Sequence, residues 1–286
     1  MKKGTMWAAL LLAGATLAGC GAGGNTTGGT SGAAANTAQN AATGGGAQQE
    51  TILVGADTTF PPFESMQNGQ VQGFDIELVQ DIAKVENLKI EQIKTMPFEG
   101  LIPALQSDQV DVAVAGFTIK KSRMEKVNFS NAYYKSGLSI LVKKGSDIKG
   151  LDDLKSKIVA TKKGTSSVDL LKKSGVTNIK QFDNIDQAYS ALESGGADAV
   201  VFDNPVNINF KNQHGDVEIV GGLLTGEYYG IAVTKDKPDL LQKINDGLQK
   251  LQQDGTYEKL FDKYLGGDKA GLVEGVKTPD EVALNS

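Results

Sequence analysis

The 286-residue chain contains almost none of the residue types that build disulfides, metal clusters or histidine-based catalytic sites. Its single cysteine, Cys20, cannot form an internal disulfide, and no stretch resembles a Cys/His metal cluster. His214 is the single histidine and lies in the polar stretch NFKNQHGD, which predicts a surface residue and not a catalytic base. We therefore expect a protein that works without a metal or a cofactor.

Basic residues are also in deficit, and arginine is nearly absent. The 29 lysines and arginines are outnumbered by 34 aspartates and glutamates, so the formal net charge is −5. This balance argues against nucleic acid as a partner, because phosphate neutralisation needs a basic face. Arg123, in GFTIKKSRMEK, is the only arginine. A chain that otherwise uses lysine has kept one guanidinium, which makes Arg123 a candidate functional residue.

The N-terminal stretch MKKGTMWAALLLAGATLAGC has the pattern of a secretory signal peptide: a basic start, an apolar run and then small residues. The apolar run is too short, and wrongly flanked, for a stable membrane span. Its end, Leu17-Ala18-Gly19-Cys20, resembles the lipobox of bacterial lipoproteins, in which the cysteine is lipidated. The alternative is an ordinary signal peptide with a chance cysteine. A lipobox predicts a lipoprotein signal peptide at residues 1–20, with Cys20 as the lipid anchor.

Residues 21–49 contain only Gly, Ala, Thr, Asn, Gln and Ser. Without charge or large apolar side chains they cannot form a core, so we predict a flexible linker. Its mean reach would be roughly 30 Å, from about 5–6 Å times the square root of its length. An anchor and a linker would hold a globular domain near a membrane but in water, on a cell surface or in a periplasm.

From residue 51 the chain alternates apolar and amphipathic runs, in a globular composition of 40% hydrophobic and 22% charged residues. Apolar runs at 51–57, 89–95 and 110–116 predict strands, and FDIELVQDIAKVENL at 74–88 predicts a helix with Asp75 as a possible N-cap. The same alternation continues through the middle of the chain. It predicts an α/β protein with βαβ units and a largely parallel sheet covered by helices.

Two apolar strands without a helix beside them, GLSILVKKG (137–145) and YYGIAVTKD (228–236), have the pattern of crossings between two lobes. A chain of this size could form one sheet or two. With two lobes, the second is inserted into the first and these strands form a paired hinge. The helical C-terminal stretch, broken near Gly255, would return to the first lobe, and residues 267–286 are expected to be a loose tail.

The candidates for a binding site are the residues that follow the predicted strands, because ligands of α/β proteins bind at the carboxyl ends of strands. These residues combine charges of both signs with aromatic rings. They lack a nucleophile–base pair and a phosphate-binding loop. The candidate ligand-binding residues are Asp57, Phe60, Phe98, Gly116, Thr118, Arg123, Lys162, Thr165, Ser166 and Asp203.

A free amino acid fits this mixture of groups. A guanidinium grips a carboxylate with two parallel N–H bonds, a helix N-terminus adds donors, and a buried carboxylate pairs with an ammonium. Each candidate also has a purely structural interpretation. Asp57 and Asp203 could cap helices, Lys162 could be solvated, and Phe60 and Phe98 could be core residues. Their joint position after strands favours a site.

The sequence resembles the polar amino-acid binding proteins of ABC importers, family 3 of the solute-binding proteins, over nearly all of residues 51–265. The stretches GFDIELVQDIA and GFTIKKSRMEKVNFS are highly specific, and the resemblance extends through ADTTFPPFE, PFEGLIPALQS, KKGTSSVD, ADAVVFDNP and EYYGIAV. It implies a two-lobe periplasmic-binding-protein-like fold of type II with a two-strand hinge. Lobe 1 would comprise 51–136 and 230–266, and the inserted lobe 2 would comprise 137–229.

The resemblance also implies how the two ends of an amino acid are held. Arg123, with the backbone around Thr118, is expected to bind the α-carboxylate, and Ser166, at a helix start, is expected to add a backbone donor. Gly116, Thr118 and Asp203 are expected to bind the α-ammonium. The other three lysines near Arg123 are expected to be solvated and interchangeable: Lys120, Lys121 and Lys126.

Side-chain specificity is implied by four further positions. Phe60 and Phe98 are expected to sandwich the aliphatic chain of the ligand, and Asp57 is expected to face its head group. Glutamine-binding members match most closely, through YYKSGL, GTSSVD, FDNIDQAY and ADAVVFD, and there a lysine at the position of Lys162 helps to hold the side-chain amide. The adjacent Lys163 leaves the identity of that lysine open by one position. An Asp–Lys pair offers a carboxamide both an acceptor and a donor, which favours glutamine over arginine or lysine.

Three classes of function are compatible with such a fold. The favoured one is a lipid-anchored, monomeric binding protein that hands an amino acid to the membrane subunits of an ABC permease, with no nucleic acid partner. An enzyme on the same fold is disfavoured by the missing acid–base pair. A receptor sensing lobe is disfavoured because the sequence shows no second membrane span and no kinase-like region.

Overall fold

The computed structural model describes residues 49–267 and 269–285. The predicted signal peptide with Cys20, and all of the predicted linker except Gln49, lie outside the described residues. Lipidation of Cys20 and the reach of the linker therefore stay predictions.

Short strands make up much of the described chain, and most follow the apolar runs of the sequence. In chain order they are β1 (Glu50–Ala56), β2 (Thr59–Phe60), β3 (Glu64–Gln67), β4 (Gln70–Gln72), β5 (Leu88–Thr95), β6 (Val112–Val114), β7 (Asn128–Phe129), β8 (Tyr134–Ser136), β9 (Leu138–Lys143), β10 (Val159–Lys162), β11 (Ile179–Phe182), β12 (Ala199–Asp203), β13 (Val217–Val220), β14 (Glu227–Tyr229) and β15 (Ala232–Val233).

The helices alternate with these strands as predicted. They are α1 (Phe74–Val85), α2 (Phe98–Gln106), α3 (Lys121–Met124), α4 (Ser166–Lys173), α5 (Ile185–Glu193), α6 (Asn204–Gln213), α7 (Pro238–Gln253), α8 (Thr256–Leu265) and α9 (Pro279–Val282), with 3₁₀ turns at Leu151–Ser156 and Lys269–Gly271. The predicted break near Gly255 is present, because Gly255 has a positive φ of 80° between α7 and α8.

Ten of these strands form two five-stranded sheets, which answers the question of one sheet or two, and β2, β3 and β4 form a small three-stranded sheet of their own. The first has the order β5-β1-β6-β15-β7 and the second the order β11-β10-β12-β9-β13. Each is parallel along one side, with β1 between β5 and β6 and with β10 between β11 and β12. Antiparallel strands then extend each sheet, because the chain leaves and re-enters it without a helical crossover.

A separate two-stranded ribbon of β8 and β14 forms the crossing between the sheets, with Ser136 opposite Glu227 and Tyr134 opposite Tyr229. The predicted hinge stretch 137–145 is therefore wrong by a few residues, since β9 is a full member of the second sheet. The predicted stretch 228–236 contains the end of β14 and then β15 of the first sheet. The lobe boundaries at 136/137 and 229/230 stay a prediction.

An aromatic cluster packs around this ribbon. The ring of Phe63 lies 4.9 Å from that of Tyr134 and 5.6 Å from that of Tyr229, centroid to centroid, and the two tyrosine rings stack at 5.3 Å. Phe60 contacts Phe202 of the second sheet at 5.7 Å. Such pairs each contribute about 0.5–1.5 kcal/mol beyond the area they bury. Although aromatics are only 6% of the chain, they are concentrated where the two sheets meet.

The C-terminal tail is not loose over its described residues 269–285, contrary to expectation. The Leu284 N–H donates to the Ile119 carbonyl at 3.0 Å, and the Leu284 carbonyl accepts from the Lys121 N–H at 3.1 Å. Gly271 lies so close to Tyr134 that a Cβ there would be 2.3 Å from the ring. The tail thus binds to the segment 119–121 through backbone hydrogen bonds and packs against the ring of Tyr134 in the hinge ribbon, and these contacts have no periodic pattern in the sequence.

Asp75 does not cap a helix. The N-cap of α1 is Gly73, without a side-chain capping bond, and α1 ends three residues before the predicted position 88. Asp75 is fully buried, and its Oδ2 accepts hydrogen bonds from the Gly116 N–H at 3.0 Å and the Tyr133 hydroxyl at 2.5 Å. Asp75 therefore makes long-range tertiary hydrogen bonds and not the local helix cap that the sequence predicted.

Asp75 faces a second fully buried carboxyl group, that of Glu64 on β3. Both oxygens of Glu64 and the Oδ1 of Asp75 have no donor among the described residues. Burial, and then the neighbouring Asp75, raise the pKa of Glu64 well above its ordinary value. A proton on Glu64 supplies the missing donor, since two adjacent buried carboxylates cannot both be ionised at low cost.

We expect Glu64→Gln to keep the fold and to change how stability depends on pH. Because the pKa of Glu64 is higher in the folded than in the unfolded chain, its stabilisation is present below about pH 4.5 and is lost as pH rises towards the folded-state pKa. The wild type should therefore lose up to about 1.4 kcal/mol per pH unit relative to the glutamine variant. Urea unfolding from pH 5 to 9 measures this difference. Glu91→Gln, on an exposed position, is the control, and parallel curves for wild type and Glu64→Gln would contradict the shared proton.

Candidate ligand-binding site

All of the predicted site residues meet in one cleft between the two sheets. The residues that line it are Asp57, Phe60, Phe98, Ala115, Gly116, Thr118, Arg123, Lys162, Thr165, Ser166, Phe202 and Asp203. The space open to the centre of a water-sized sphere is about 10 Å³, which is room for about one water molecule. The side chains thus close the cleft on one another, and an amino acid would enter only after the sheets move apart.

Strand ends place most of these residues, as the α/β pattern predicts. Asp57 directly follows β1, Lys162 is the last residue of β10, and Asp203 is the last residue of β12. Gly116 follows β6 and turns the chain with a φ of 51°. A Cβ at Gly116 would lie 2.2 Å from the ring of Phe60, so only glycine permits both this turn and this close packing.

The guanidinium of Arg123 is buried and bridges the two sides of the cleft. Its Nη1 donates to the Thr118 carbonyl at 2.8 Å, and its Nη2 donates to the Gly164 carbonyl at 3.0 Å. Its Cζ lies 5.1 Å from the ring centre of Phe98 and 5.6 Å from that of Phe117. Burial lowers the pKa of Arg123 to about 10, which leaves it charged at neutral pH. Among the described residues, no carboxylate lies within ion-pair distance of this guanidinium.

The lysines beside Arg123 are not all solvated as expected. Lys120 is buried and forms an ion pair with Asp169 of α4, which is a contact between the two halves of the molecule. Lys121 and Lys126 are exposed. The expectation of interchangeable lysines is therefore wrong for Lys120, because the fold brings α4 against the start of α3.

Asp57 and Lys162 form a buried ion pair across the cleft. The Lys162 Nζ donates to Asp57 Oδ2 at 2.5 Å and to the Thr59 hydroxyl at 2.8 Å. The other oxygen of Asp57 accepts from the Thr59 N–H at 2.9 Å and its hydroxyl at 2.8 Å. Lys163 is only partly buried and pairs with Asp183 at 2.6 Å outside the cleft lining, so Lys162 is the lysine that faces the cleft.

Asp203 occupies the N-cap position of α6, but its side chain makes no capping bond. Its Oδ1 accepts a hydrogen bond from the hydroxyl of Tyr229, which lies 2.8 Å from the hydroxyl of Ser136 in the hinge ribbon. Burial raises the pKa of Asp203 to about 7, and the nearby Glu227 carboxylate is the second cause of this increase. A positive group beside Asp203 would favour its ionised form.

Sequence reasoning missed Glu227, Tyr229, Phe202 and Ala115. Glu227 is fully buried and accepts hydrogen bonds from the hydroxyls of Thr118, Ser166 and Thr225. Its one signal in the sequence is an acidic residue directly before the apolar stretch YYGIAV. Phe202 and Ala115 each directly precede a predicted site residue. Both would have been found if the residue before each candidate had also been considered.

The chain matches bacterial extracellular solute-binding proteins, family 3, over residues 52–267. It therefore belongs to this family. The predicted fold class, an α/β two-lobe periplasmic-binding-protein-like fold of type II, is thereby confirmed. None of the described helices is both long enough and apolar enough to cross a membrane.

Individual relatives are transport proteins with several different ligands. The ABC transporter glutamine-binding protein GlnH of Bacillus subtilis is 35% identical over 221 residues, which cover 76% of this chain and 81% of the relative. A probable histidine-binding protein of Neisseria gonorrhoeae is 35% identical over 228 residues, covering 76% and 85%. A solved structure of an ancestral arginine-binding protein bound to glutamine superposes with a TM-score of 0.73 at 45% identity, covering 77% of this chain and 99% of that one.

We expect Gly116→Ala to disrupt the cleft. The new Cβ would overlap the Phe60 ring, and a positive φ is unfavourable for alanine, so the free energy of unfolding should fall by about 2–4 kcal/mol. Thermal or urea unfolding measures this loss. Gly100→Ala in α2 is the matched control, because its Cβ would meet only the Met96 sulfur at 4.0 Å. That control should change stability by at most about 1 kcal/mol, and in the favourable direction. Equal effects of the two changes would show that the Gly116 packing is not required.

Proposed function

We propose that this chain is the lipid-anchored, extracytoplasmic substrate-binding protein of an ABC amino-acid importer, and that it binds a polar L-amino acid, glutamine in particular, between two closing lobes. The observation that carries the proposal is the presence, in one cleft, of a buried guanidinium with no carboxylate of the described residues at ion-pair distance and of a buried carboxylate at the opposite wall. A free amino acid supplies the complementary groups to both.

Arg123 is the proposed site of the α-carboxylate. It holds two backbone carbonyls now, and a carboxylate is the stronger acceptor because the hydrogen bonds are charge-assisted. Its Cζ lies 5.1 Å from the ring centre of Phe98, and this cation–π contact helps to hold the guanidinium in place. The N-terminus of α4 begins at Ser166 and adds N–H donors and a favourable dipole. Asp203, with Gly116 and Thr118, is the proposed site of the α-ammonium.

The ion pair of Asp57 with Lys162 supports a neutral side chain over a cationic one. Both charges are buried, and each neutralises the other at 2.5 Å. The amide of glutamine can accept from Lys162 and donate to Asp57 without disturbing that balance. A second cation would bring a repulsive charge beside Lys162. Phe60 and Phe98 are proposed to pack on the aliphatic part of the ligand.

Arginine or lysine is the alternative ligand, and two observations favour it. The cleft region carries three carboxylates, Asp57, Asp203 and Glu227, against the two cations Arg123 and Lys162. A cationic ligand would balance this excess. The ancestral arginine-binding protein, which is 45% identical, has been solved with arginine as well as with glutamine.

Closure of the lobes is the proposed transport-relevant step, since the permease would recognise the closed form. Three of the contacts that join residues on the two sides of the cleft are Arg123 with Gly164, Lys120 with Asp169, and Asp57 with Lys162. Separation of the lobes must break all three. A ligand that contacts both sides would shift the equilibrium back towards the closed form. We propose that the protein acts as a monomer, without a cofactor and without chemical change to the ligand.

A thermal-shift screen of the twenty amino acids tests the ligand assignment, and Lys162→Met sharpens it. Glutamine at 100 times its Kd should stabilise the wild type by about 2.7 kcal/mol. The Lys162→Met variant leaves Asp57 without its cation, so glutamine should bind at least about tenfold more weakly while arginine gains relative to glutamine. Lys163→Met, one residue away on the surface, should behave like the wild type. A wild-type response to arginine and lysine alone would overturn glutamine, and no response at all would overturn the function. Recovery of chemically altered glutamine would show an enzyme instead.

Replacement of Arg123 tests the carboxylate grip. Arg123→Lys should fold, with a loss of stability below about 1.5 kcal/mol, because a lysine can still donate to one of the two carbonyls. Its affinity for the amino acid should fall about 100-fold, since an ammonium cannot make two parallel bonds to a carboxylate. Isothermal titration calorimetry measures the affinity, and circular dichroism confirms the fold. Lys126→Ala, on an exposed neighbour, is the control, and unchanged affinity in Arg123→Lys would remove Arg123 from the site.

A further inference from the structure

Glu227 lies where the two halves of the cleft meet the hinge ribbon. It is the first residue of β14 and is fully buried opposite Ser136. Its Oε2 accepts a hydrogen bond from the Thr118 hydroxyl at 2.6 Å and from the Ser166 hydroxyl at 2.9 Å. Its Oε1 accepts from the Thr225 hydroxyl at 2.9 Å. One carboxylate thus accepts hydrogen bonds from a hydroxyl on the side of the first sheet and from a hydroxyl at the start of α4.

These contacts fix the direction of two hydroxyl groups that line the cleft. A carboxylate can only accept hydrogen bonds, so the hydrogens of Thr118 and Ser166 must point to Glu227. Each hydroxyl has one hydrogen, and the lone pairs of its oxygen remain for other partners. Towards the cleft, both side chains are therefore acceptors and not donors.

Acceptors at this place suit an ammonium and oppose a carboxylate. We propose that Glu227 is a positioning residue that makes Thr118 and Ser166 hydrogen-bond acceptors for the ligand's α-ammonium, and that it thereby selects α-amino acids against analogues that lack this charge. The inference rests on the proposed function and deepens it. It also refines the role of Ser166, whose backbone N–H stays available for the α-carboxylate while its hydroxyl serves the ammonium.

The same geometry makes this selection depend on closure. Thr118 lies on the side of the first sheet and Ser166 begins α4 of the second, so both can donate to Glu227 only while the two sides are close. Separation must break at least one of these bonds. The two acceptor hydroxyls are therefore brought together as the lobes close. Asp203, the third group proposed to bind the ammonium, lies at the end of β12.

Glu227→Gln tests the inference, because it keeps the size of the side chain but gives it a donor and removes its charge. The measurement is calorimetric affinity for glutamine and for its α-hydroxy analogue, 2-hydroxyglutaramic acid, which has no ammonium. The wild type should prefer glutamine by about 100-fold or more, and Glu227→Gln should narrow that preference at least about tenfold. A merely structural role would weaken both ligands alike. Glu218→Gln, on β13, is the matched control and should leave the preference unchanged.

Ser166→Ala gives a second test that does not depend on whether the Glu227 variant folds. It removes one of the two acceptors and leaves the carboxylate in place, so the preference for glutamine should narrow by a smaller factor. An unchanged preference in either folded variant, with glutamine still bound by the wild type, would overturn the role of Glu227 and leave the proposed function standing. Absence of any amino-acid binding by the wild type would overturn both.

Discussion

The buried guanidinium of Arg123 is the contact on which the arrangement of the cleft depends. It donates to the Thr118 carbonyl on one side and to the Gly164 carbonyl on the other. One guanidinium therefore bridges the two halves of the molecule. A buried cation is costly unless its donors are satisfied. The fold satisfies them with backbone oxygens and aromatic faces, and it places no described carboxylate at ion-pair distance. The charge is thus stabilised but not neutralised, which suits a group that must bind a carboxylate from outside.

The other charges of the cleft follow from the same constraint. Lys162 is neutralised directly by Asp57, whereas Asp203 accepts a hydrogen bond from the Tyr229 hydroxyl, forms no ion pair among the described residues and has its pKa raised by burial to about 7. The charges at the Asp57–Lys162 end of the cleft therefore neutralise each other, whereas the charge at the Asp203 end has no such partner among the described residues. A ligand whose charges sit at one end and whose side chain is neutral matches this asymmetry. That match is the physical basis for favouring glutamine, and the extra carboxylate Glu227 is the physical basis for keeping arginine as the alternative.

The position of the site could be predicted from the sequence because strand ends are encoded locally. Asp57, Lys162 and Asp203 each stand at the end of an apolar run, and parallel strands bring such ends to one edge. Glu227 could not be found this way, since its partner Thr118 is 109 residues away and its own neighbours read as an ordinary strand. Asp75 failed for the opposite reason. Its local pattern matched a helix cap, but a long-range contact with Gly116 determined its place.

The same distinction explains the parts of the fold that the sequence left open. Alternating apolar and amphipathic runs predicted the strands and helices well, because each run has its own period. The exact hinge strands did not follow, because β8 is the short polar stretch YKS without an apolar run of its own, whereas the apolar run beside it forms β9 of the second sheet. The tail is held partly by backbone hydrogen bonds, which any sequence can make, and partly by the buried side chain of Val273. Contacts of that kind are visible only once the chain is folded.

Binding in this cleft is an exchange of partners, and this sets what a ligand must offer. Arg123 and Lys162 already have acceptors, so a ligand gains only the difference between its own hydrogen bonds and those it replaces. A carboxylate exceeds the Gly164 carbonyl because its bonds to a guanidinium are charge-assisted. For the same reason, an ammonium forms a stronger hydrogen bond to Asp203 than any neutral donor does. A compound with only one of these groups would replace existing bonds at one end and gain little at the other, so the closed cleft favours molecules that carry both.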